Sequence, residues 1–301
     1  MVTGASQNVS VIDPISPAIE RVKAVLFRPF DLSKWFTIGF CAWLAYLGKG
    51  GGGSGGTPNF NFPRGGSDYN SHQPAVDEIK SFVIEHLPMV IIGVAAAIVI
   101  MITLWLVFTW LTSKGKFMFL HCVAGNKAEV KIPWAKFKDH ANSLFLFKIV
   151  LSLISTAVMS IPCVIGAIFL IPAIIAKQVI VIVIGAVMLG FALIVIGIIF
   201  ALINKFTDDF VVPIMFLRTA RCTAGWRELL GLLGANKGRF VLYILFQIVL
   251  AIGIGFCVSM VCLVGCCCCC VSILLFIPYI GTVVLLPVFV FKRSYSLCYL
   301  Q

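Results

Sequence analysis

The sequence predicts an all-α integral membrane protein: a six-helix transmembrane bundle with short amphipathic interfacial helices. Three observations lead to this fold class. Hydrophobic residues make up 60% of the 301 residues and charged residues only 12%, whereas a soluble domain carries about a quarter charged residues. Several apolar stretches approach or exceed the roughly 20 residues that a helix needs to cross the hydrocarbon core. Finally, the basic residues are concentrated on alternate hydrophilic segments.

The apolar stretches divide the chain into six expected spans. The first four are residues 35–47, which is short, residues 89–111, a span that starts at Ser143, and residues 178–204. Because residues 143–176 exceed one crossing, we expect a tilted helix that kinks at Pro162 and ends near Pro172. Residues 240–291 contain no ionisable Asp, Glu, Lys, Arg or His. One helix of that length would measure about 78 Å at ~1.5 Å per residue, so we expect a fifth and a sixth span with a turn at residues 264–271.

The distribution of Lys and Arg predicts the orientation. Eighteen of them fall on the N-terminal segment, the second and fourth loops and the tail, and four fall on the other three connections. The positive-inside rule then places both termini in the cytoplasm of a multi-pass protein of the plasma membrane. Residues 1–26 show no secretory signal, so we expect the first span to act as an uncleaved signal-anchor.

We expect a single transmembrane domain over residues 1–301, with a flexible external loop at 48–75 that is rich in Gly, Asn and Pro. Three amphipathic segments precede spans: residues 18–27, 134–141 and 227–233. They are expected to be helices that lie in the headgroup region, and the alternative for the first is an ordinary helix packed on the bundle. Similar residue patterns around them favour three parallel helix-hairpin repeats.

No catalytic, cofactor-binding or metal-binding residue is predicted. The five consecutive cysteines 266–270 cannot all face one ion from a helix, although Cys262, Cys266 and Cys269 share a face and thiolates suit Cu(I). The favoured interpretation is a run of small residues that lets helices pack or turn closely. The glycine run beside Lys49 lacks the Ser or Thr that a phosphate-binding loop needs after its lysine.

Ionisable residues within spans would be the strongest indication of transport. Lys148 is the one candidate, and we expect its ammonium to extend to the basic side; a role on a transport pathway is the alternative. Asp208 and Asp209 follow the fourth span and are interpreted as boundary or packing residues, with an ion site as the alternative. His121 and His140 are expected on the cytoplasmic side, where they could meet.

Several motifs resemble those of a prokaryotic group of uncharacterised six-span membrane proteins. They are residues 28–31 (RPFD) with 34–36 and 39–40, the glycine-rich loop, residues 209–215 (DFVVPIM), residues 277–281 (IPYIG) and residues 286–288. This group is related to the membrane domain fused to some glycerophosphodiester phosphodiesterases. The resemblance implies a bacterial-type inner-membrane protein without an established activity. Similar proteins continue past the segment matching residues 295–301, so we expect the natural chain to extend beyond Gln301.

The expected function is therefore a non-enzymatic accessory or scaffold that binds lipid or a membrane partner, because the phosphodiesterase catalytic domain is absent. A transporter or channel for a small or lipidic substrate is the alternative, and an intramembrane enzyme is third. Expected partners are membrane lipids, including anionic headgroups at the cytoplasmic face, and a membrane protein. Neither nucleic acid nor a cofactor is expected, since the net charge of +11 follows the positive-inside bias.

Overall fold

The computed structural model describes residues 14–47, 87–235, 237–267 and 278–300, which are helical and contain no strand. The helices are α1 (Ile15–Val22), α2 (Leu32–Tyr46), α3 (Leu87–Gly125), α4 (Lys131–Lys136), α5 (Lys138–Ile175), α6 (Val179–Phe206), α7 (Val212–Arg218), α8 (Cys222–Ala235), α9 (Lys237–Cys267), α10 (Pro278–Val284) and α11 (Leu286–Leu300). Two π-helical turns, Lys23–Phe27 and Thr207–Val211, extend α1 and join α6 to α7. The all-α class is confirmed.

Three stretches of the described chain are long and apolar enough to cross a membrane: Leu87–Gly125, Lys138–Ile175 and Val179–Arg218. A fourth would be Cys222–Ala235 together with Phe240–Phe256 if this pair, bent by 102°, forms one broken span. The expected first span corresponds to α2, which has only 15 residues. The described residues therefore fit a membrane protein with three or four long apolar helices, fewer than the six expected.

The three long helices share one division into an exposed apolar part and a buried polar end. We call residues 87–111, 149–175 and 179–203 the apolar segments. They contain no charged residue, and each is about 37–40 Å long at ~1.5 Å per residue. Helix α6 has no buried residue at all, and the buried residues of α3 all lie between Thr112 and Val123. The protein core therefore sits at one end of the apolar segments.

Helix α2 packs against that end of α3. Asp31 caps α2 by accepting a hydrogen bond from the Ser33 amide at 2.9 Å. The helix then runs antiparallel to α3, since Cys41 lies beside Cys122 (Sγ–Sγ 3.8 Å) and the Leu47 carbonyl accepts from the Thr112 hydroxyl at 2.9 Å. The contact therefore covers residues 112–123 and leaves the apolar segment of α3 exposed.

The end of α5 lies close to the expected position. The helix continues through Pro162 and Pro172 and ends at Ile175, three residues after Pro172. It ends with Lys177 in the left-handed conformation (φ 53°), and the Gln178 amide donates to the Ala173 carbonyl at 3.0 Å. This is the bond that closes a Schellman motif. The termination is thus set by the turn and not by Pro172.

The three amphipathic segments are helical, as expected, with one interruption. The first lies in α1 and its π-helical turn, and the third lies in α8. The second is broken at Phe137, between α4 and α5. Helix α9 continues to Cys267, beyond the start of the expected turn at 264–271. The rest of that turn and the loop at 48–75 lie outside the described residues.

Candidate functional site

The most polar part of the core is built around the π-helical turn between α6 and α7. This turn follows the apolar segment 179–203 and carries Asp208 and Asp209, while Phe210 and Val211 behind them are fully buried. The Thr207 hydroxyl donates to the Ile203 carbonyl at 2.7 Å and thus bonds to the end of α6. Single π-helical turns within α-helices occur frequently at functional sites, so this turn is a candidate functional site.

Asp208 binds two lysines that come from different helices. The Lys116 ammonium of α3 donates to Asp208 Oδ1, and the Lys148 ammonium of α5 lies 3.4 Å from the same oxygen. The side chains of Lys116, Lys148 and Asp208 are only 7%, 14% and 15% exposed. This ion group therefore joins α3, α5 and the π-helical turn within the core.

Asp209 makes a second set of contacts. Its Oδ2 lies 2.8 Å from the Lys205 ammonium and accepts from the Tyr243 hydroxyl of α9 at 3.3 Å. The Gln247 amide, one turn further along α9, donates to the Tyr243 oxygen at 3.1 Å. Tyr243 is 1% exposed. Asp209 thus connects the long apolar helix α9 to the same turn.

Helix α11 binds the backbone of this turn. Arg293 Nη1 donates to the Asp208 carbonyl at 2.7 Å, and the Ser296 hydroxyl donates to the Asp209 carbonyl. Because a π-helical turn interrupts the regular i→i+4 ladder, side chains can insert at its carbonyls. We call the nine residues that these contacts join the polar cluster: Lys116, Lys148, Lys205, Asp208, Asp209, Tyr243, Gln247, Arg293 and Ser296.

The polar cluster has an excess of positive charge. Four basic residues face two carboxylates, and Arg293 Nε and Nη2 have no hydrogen-bond partner although the residue is 8% exposed. A cation is therefore a poor match for this cluster. Elsewhere too, within the described ranges, no three His, Cys, Asp or Glu side chains converge as metal ligands do.

The sequence interpretation located these residues but missed their association. Lys148 is expected to extend its ammonium to the basic side, and this ammonium lies 3.4 Å from Asp208 Oδ1. Asp208 and Asp209 were interpreted as boundary or packing residues, and they form the centre of the cluster. The sequence signal for the cluster consisted of two adjacent acids and one lysine at the ends of otherwise uncharged segments. Arg293, Tyr243 and Ser296 gave none, because only the fold brings α9 and α11 to this turn.

His121 and His140 come close to each other through a shared neighbour. The rings of both lie against Phe137, with centroid distances of 6.0 and 6.1 Å. His121 Nε2 and His140 Nδ1 are buried without a hydrogen-bond partner. The two histidines therefore belong to the aromatic packing around Phe137.

A separate groove of about 490 Å³ lies between α1, the end of α3 and α11, and is lined by Pro17, Glu20, Arg21, Ala24, Val25, Asn126 and Cys298. Arg21 is held in its wall, since Nη2 donates to the Ala124 carbonyl at 2.7 Å. The hydrogen bond from Lys23 lowers the pKa of the Glu20 carboxyl.

The cysteine run begins at the end of α9. Cys266 and Cys267 end α9, but the side chains of residues 261–278 lie outside those described. Among the described cysteines, Cys41 and Cys122 are fully buried in the contact between α2 and α3. This pair packs in an apolar environment, as buried thiols generally do.

Comparison with known proteins gives a family match. No curated protein and no solved structure matches the chain. A family model, described as "Family of unknown function (DUF7544)", matches residues 9–299. The match covers every helix described above except the last residue of α11, so the chain belongs to this family of unknown function.

Proposed function

We propose that this protein is a non-enzymatic accessory or scaffold of the membrane that binds lipid or a membrane partner. The observation that carries the proposal is the separation of apolar and polar surfaces. The apolar segments of α3, α5 and α6 present exposed Ile, Val, Leu and Phe side chains, while the charged residues of the polar cluster bind one another in the core. Such an apolar surface needs a cover of lipid or protein.

The proposal includes six spans in a bacterial-type inner membrane, with both termini in the cytoplasm and the polar cluster on the cytoplasmic side. Helices α3, α5 and α6 supply three spans, and α2, α9 and the α10–α11 pair supply the others. Helix α2 is only about 22 Å long at ~1.5 Å per residue and packs beside residues 112–123 of α3, so as a span it would cross at a different depth from the apolar segment 87–111. We include in this proposal that the chain is related to the membrane domain fused to some glycerophosphodiester phosphodiesterases.

A transporter or channel is the second candidate, and the polar cluster is the observation that favours it. Buried ionisable residues next to spans often mark ion or substrate pathways. Asp208 and Asp209, with four basic residues around them, are such a group. In this alternative, replacing Asp208 abolishes transport in a protein that stays folded. In a scaffold the same change acts on stability.

Lipid binding predicts that anionic lipid stabilises the purified protein. We expect a higher melting temperature in nanodiscs of phosphatidylglycerol than in nanodiscs of phosphatidylcholine, because basic residues beside spans attract anionic headgroups. The difference should shrink at high salt, which screens exposed charges. Equal melting temperatures in the two lipids would contradict the lipid-binding function.

A further inference from the structure

Lys114 is a buried cation held between two tryptophans. Its Nζ lies 4.1 Å from the centroid of the Trp110 ring and 4.4 Å from that of Trp134, and the residue is 6% exposed. The two indoles meet edge to face at 6.1 Å. Trp110 Nε1 also donates to Asn142 Oδ1 at 3.2 Å. Side chains from α3, α4 and α5 therefore fix the position of this ammonium.

The ammonium of Lys114 has no carboxylate beside it in the described part of the chain. Lys116, two residues later, reaches Asp208, whereas the ammonium of Lys114 lies over two indole faces. The charge of Lys138 adds repulsion, and α4 contributes Lys131 and Lys136. A buried charge without a counter-charge is costly, so this position favours an anion.

The location of Lys114, just beyond the apolar segment 87–111, indicates which anion lies near it. The residue comes three positions after the apolar segment 87–111, where the proposed span reaches the headgroup region. Tryptophans are enriched at that depth. Ile132 of α4 is 57% exposed, as expected for a short helix whose apolar side chain enters lipid. Basic sites at the cytoplasmic ends of spans bind phosphate-bearing headgroups.

We propose that Lys114, with Trp110 and Trp134, forms a binding site for the phosphate of an anionic phospholipid headgroup. This inference rests on the proposed lipid-binding function and assigns it to one place. The ammonium supplies the charge, and the indole rings hold it in place at the boundary. Lys131, Lys136 and Lys138 add positive potential around the site, and Lys136 itself lies 5.7 Å above the Phe137 ring.

The test compares melting temperatures in phosphatidylglycerol and phosphatidylcholine nanodiscs for the full chain and three variants. Lys114→Met removes the charge and keeps the length of the side chain, and Lys114→Arg keeps the charge. Lys177→Met, in the turn between α5 and α6, is the matched control. We expect Lys114→Met to lose most of the anionic-lipid increment without lowering the melting temperature in phosphatidylcholine. Lys114→Arg and Lys177→Met should keep the increment.

The possible outcomes distinguish a failure of the proposed Lys114 site from a failure of the proposed lipid-binding function. If the wild type gains no stability from anionic lipid, the proposed lipid binding itself fails. If the wild type gains it and Lys114→Met keeps it, only the site is overturned. A loss of stability by Lys114→Met in both lipids would assign Lys114 a packing role and also overturn the site. Stabilisation by free glycerol phosphate in detergent, equal to that by the lipid, would show a soluble ligand instead.

Discussion

Replacing Asp208 with Asn is expected to lower the free energy of unfolding by about 3–5 kcal/mol, the range seen when one partner of a buried ion pair is removed. Lys116 and Lys148 both bind Asp208 Oδ1 and are 7% and 14% exposed. The amide removes the negative charge that both ammonium groups contact. The measurement is reversible unfolding in mixed micelles, or the melting temperature where unfolding is irreversible.

A second substitution tests the reason for this loss. Lys116→Met in the Asp208→Asn background removes one of the two ammonium charges that Asp208 balances in the wild type, so we expect it to restore part of the lost stability. Glu20→Gln is the control for removing an acid, because the Glu20–Lys23 pair is solvent-exposed and such pairs contribute little. An Asp208→Asn protein as stable as the Glu20→Gln protein would show that the polar cluster does not hold the helices together.

The second large effect is expected at Gly115, where α2 and α3 touch through their backbones. A Cβ atom at this position would lie 2.5 Å from the Ala45 nitrogen and from the Leu44 carbonyl carbon. Backbone atoms cannot rotate away as a side chain can, so α2 has to shift. We expect Gly115→Ala to cost about 1–3 kcal/mol, as overpacking does in other cores, and to loosen the contact that buries Cys41 and Cys122.

Gly93 provides the matched control on the same helix. A Cβ atom there meets nothing within 4 Å, so Gly93→Ala should be neutral or slightly stabilising, since alanine favours helix over glycine. Melting temperatures of the two variants in one lipid give the comparison. If Gly115→Ala is as stable as Gly93→Ala, the close packing of α2 on α3 is wrong, and with it the placement of the shortest expected span.

The helices themselves were largely predictable from sequence, because apolar periodicity and uncharged length depend on neighbouring residues. Residues 89–111 lie within α3, and residues 178–204 lie within α6 apart from Gln178, which precedes its first residue. The ends of the helices were not recognised, since α3 continues through Lys114 and Lys116 to Gly125. Those lysines are stable in the helix because the fold supplies two indoles and a carboxylate, which the local sequence does not reveal.

The prolines of α5 indicate the end of the helix to within a few residues. A helix that kinks at Pro162 and ends near Pro172 is expected, and α5 ends at Ile175, three residues after Pro172. Proline inside a membrane helix is tolerated when its surroundings satisfy the freed backbone groups. The helix ends only where Lys177 adopts a positive φ, a conformation that its residue type does not suggest.

The candidate site was the least predictable part. Lys116 and Asp208 are 92 residues apart, and Arg293 is 85 residues from Asp208. Each charge read alone has an ordinary interpretation as a boundary residue. Lys116 and Asp208 each lie five positions beyond the end of an apolar segment, and only matching opposite charges at equal distances from those ends would have paired them. Nothing comparable identified Tyr243, whose role depends on how α9 packs against the π-helical turn.

The central claim is that the apolar segments cross the membrane and leave the polar cluster on the cytoplasmic side. Single cysteines at Gln178, in the turn between α5 and α6, and at Lys127, beyond the end of α3, test it directly in an otherwise cysteine-free chain. Both positions are exposed. A membrane-impermeant maleimide should label Gln178→Cys in intact cells and Lys127→Cys only after permeabilisation. Labelling of Lys127→Cys in intact cells, or of both variants alike, would contradict the account.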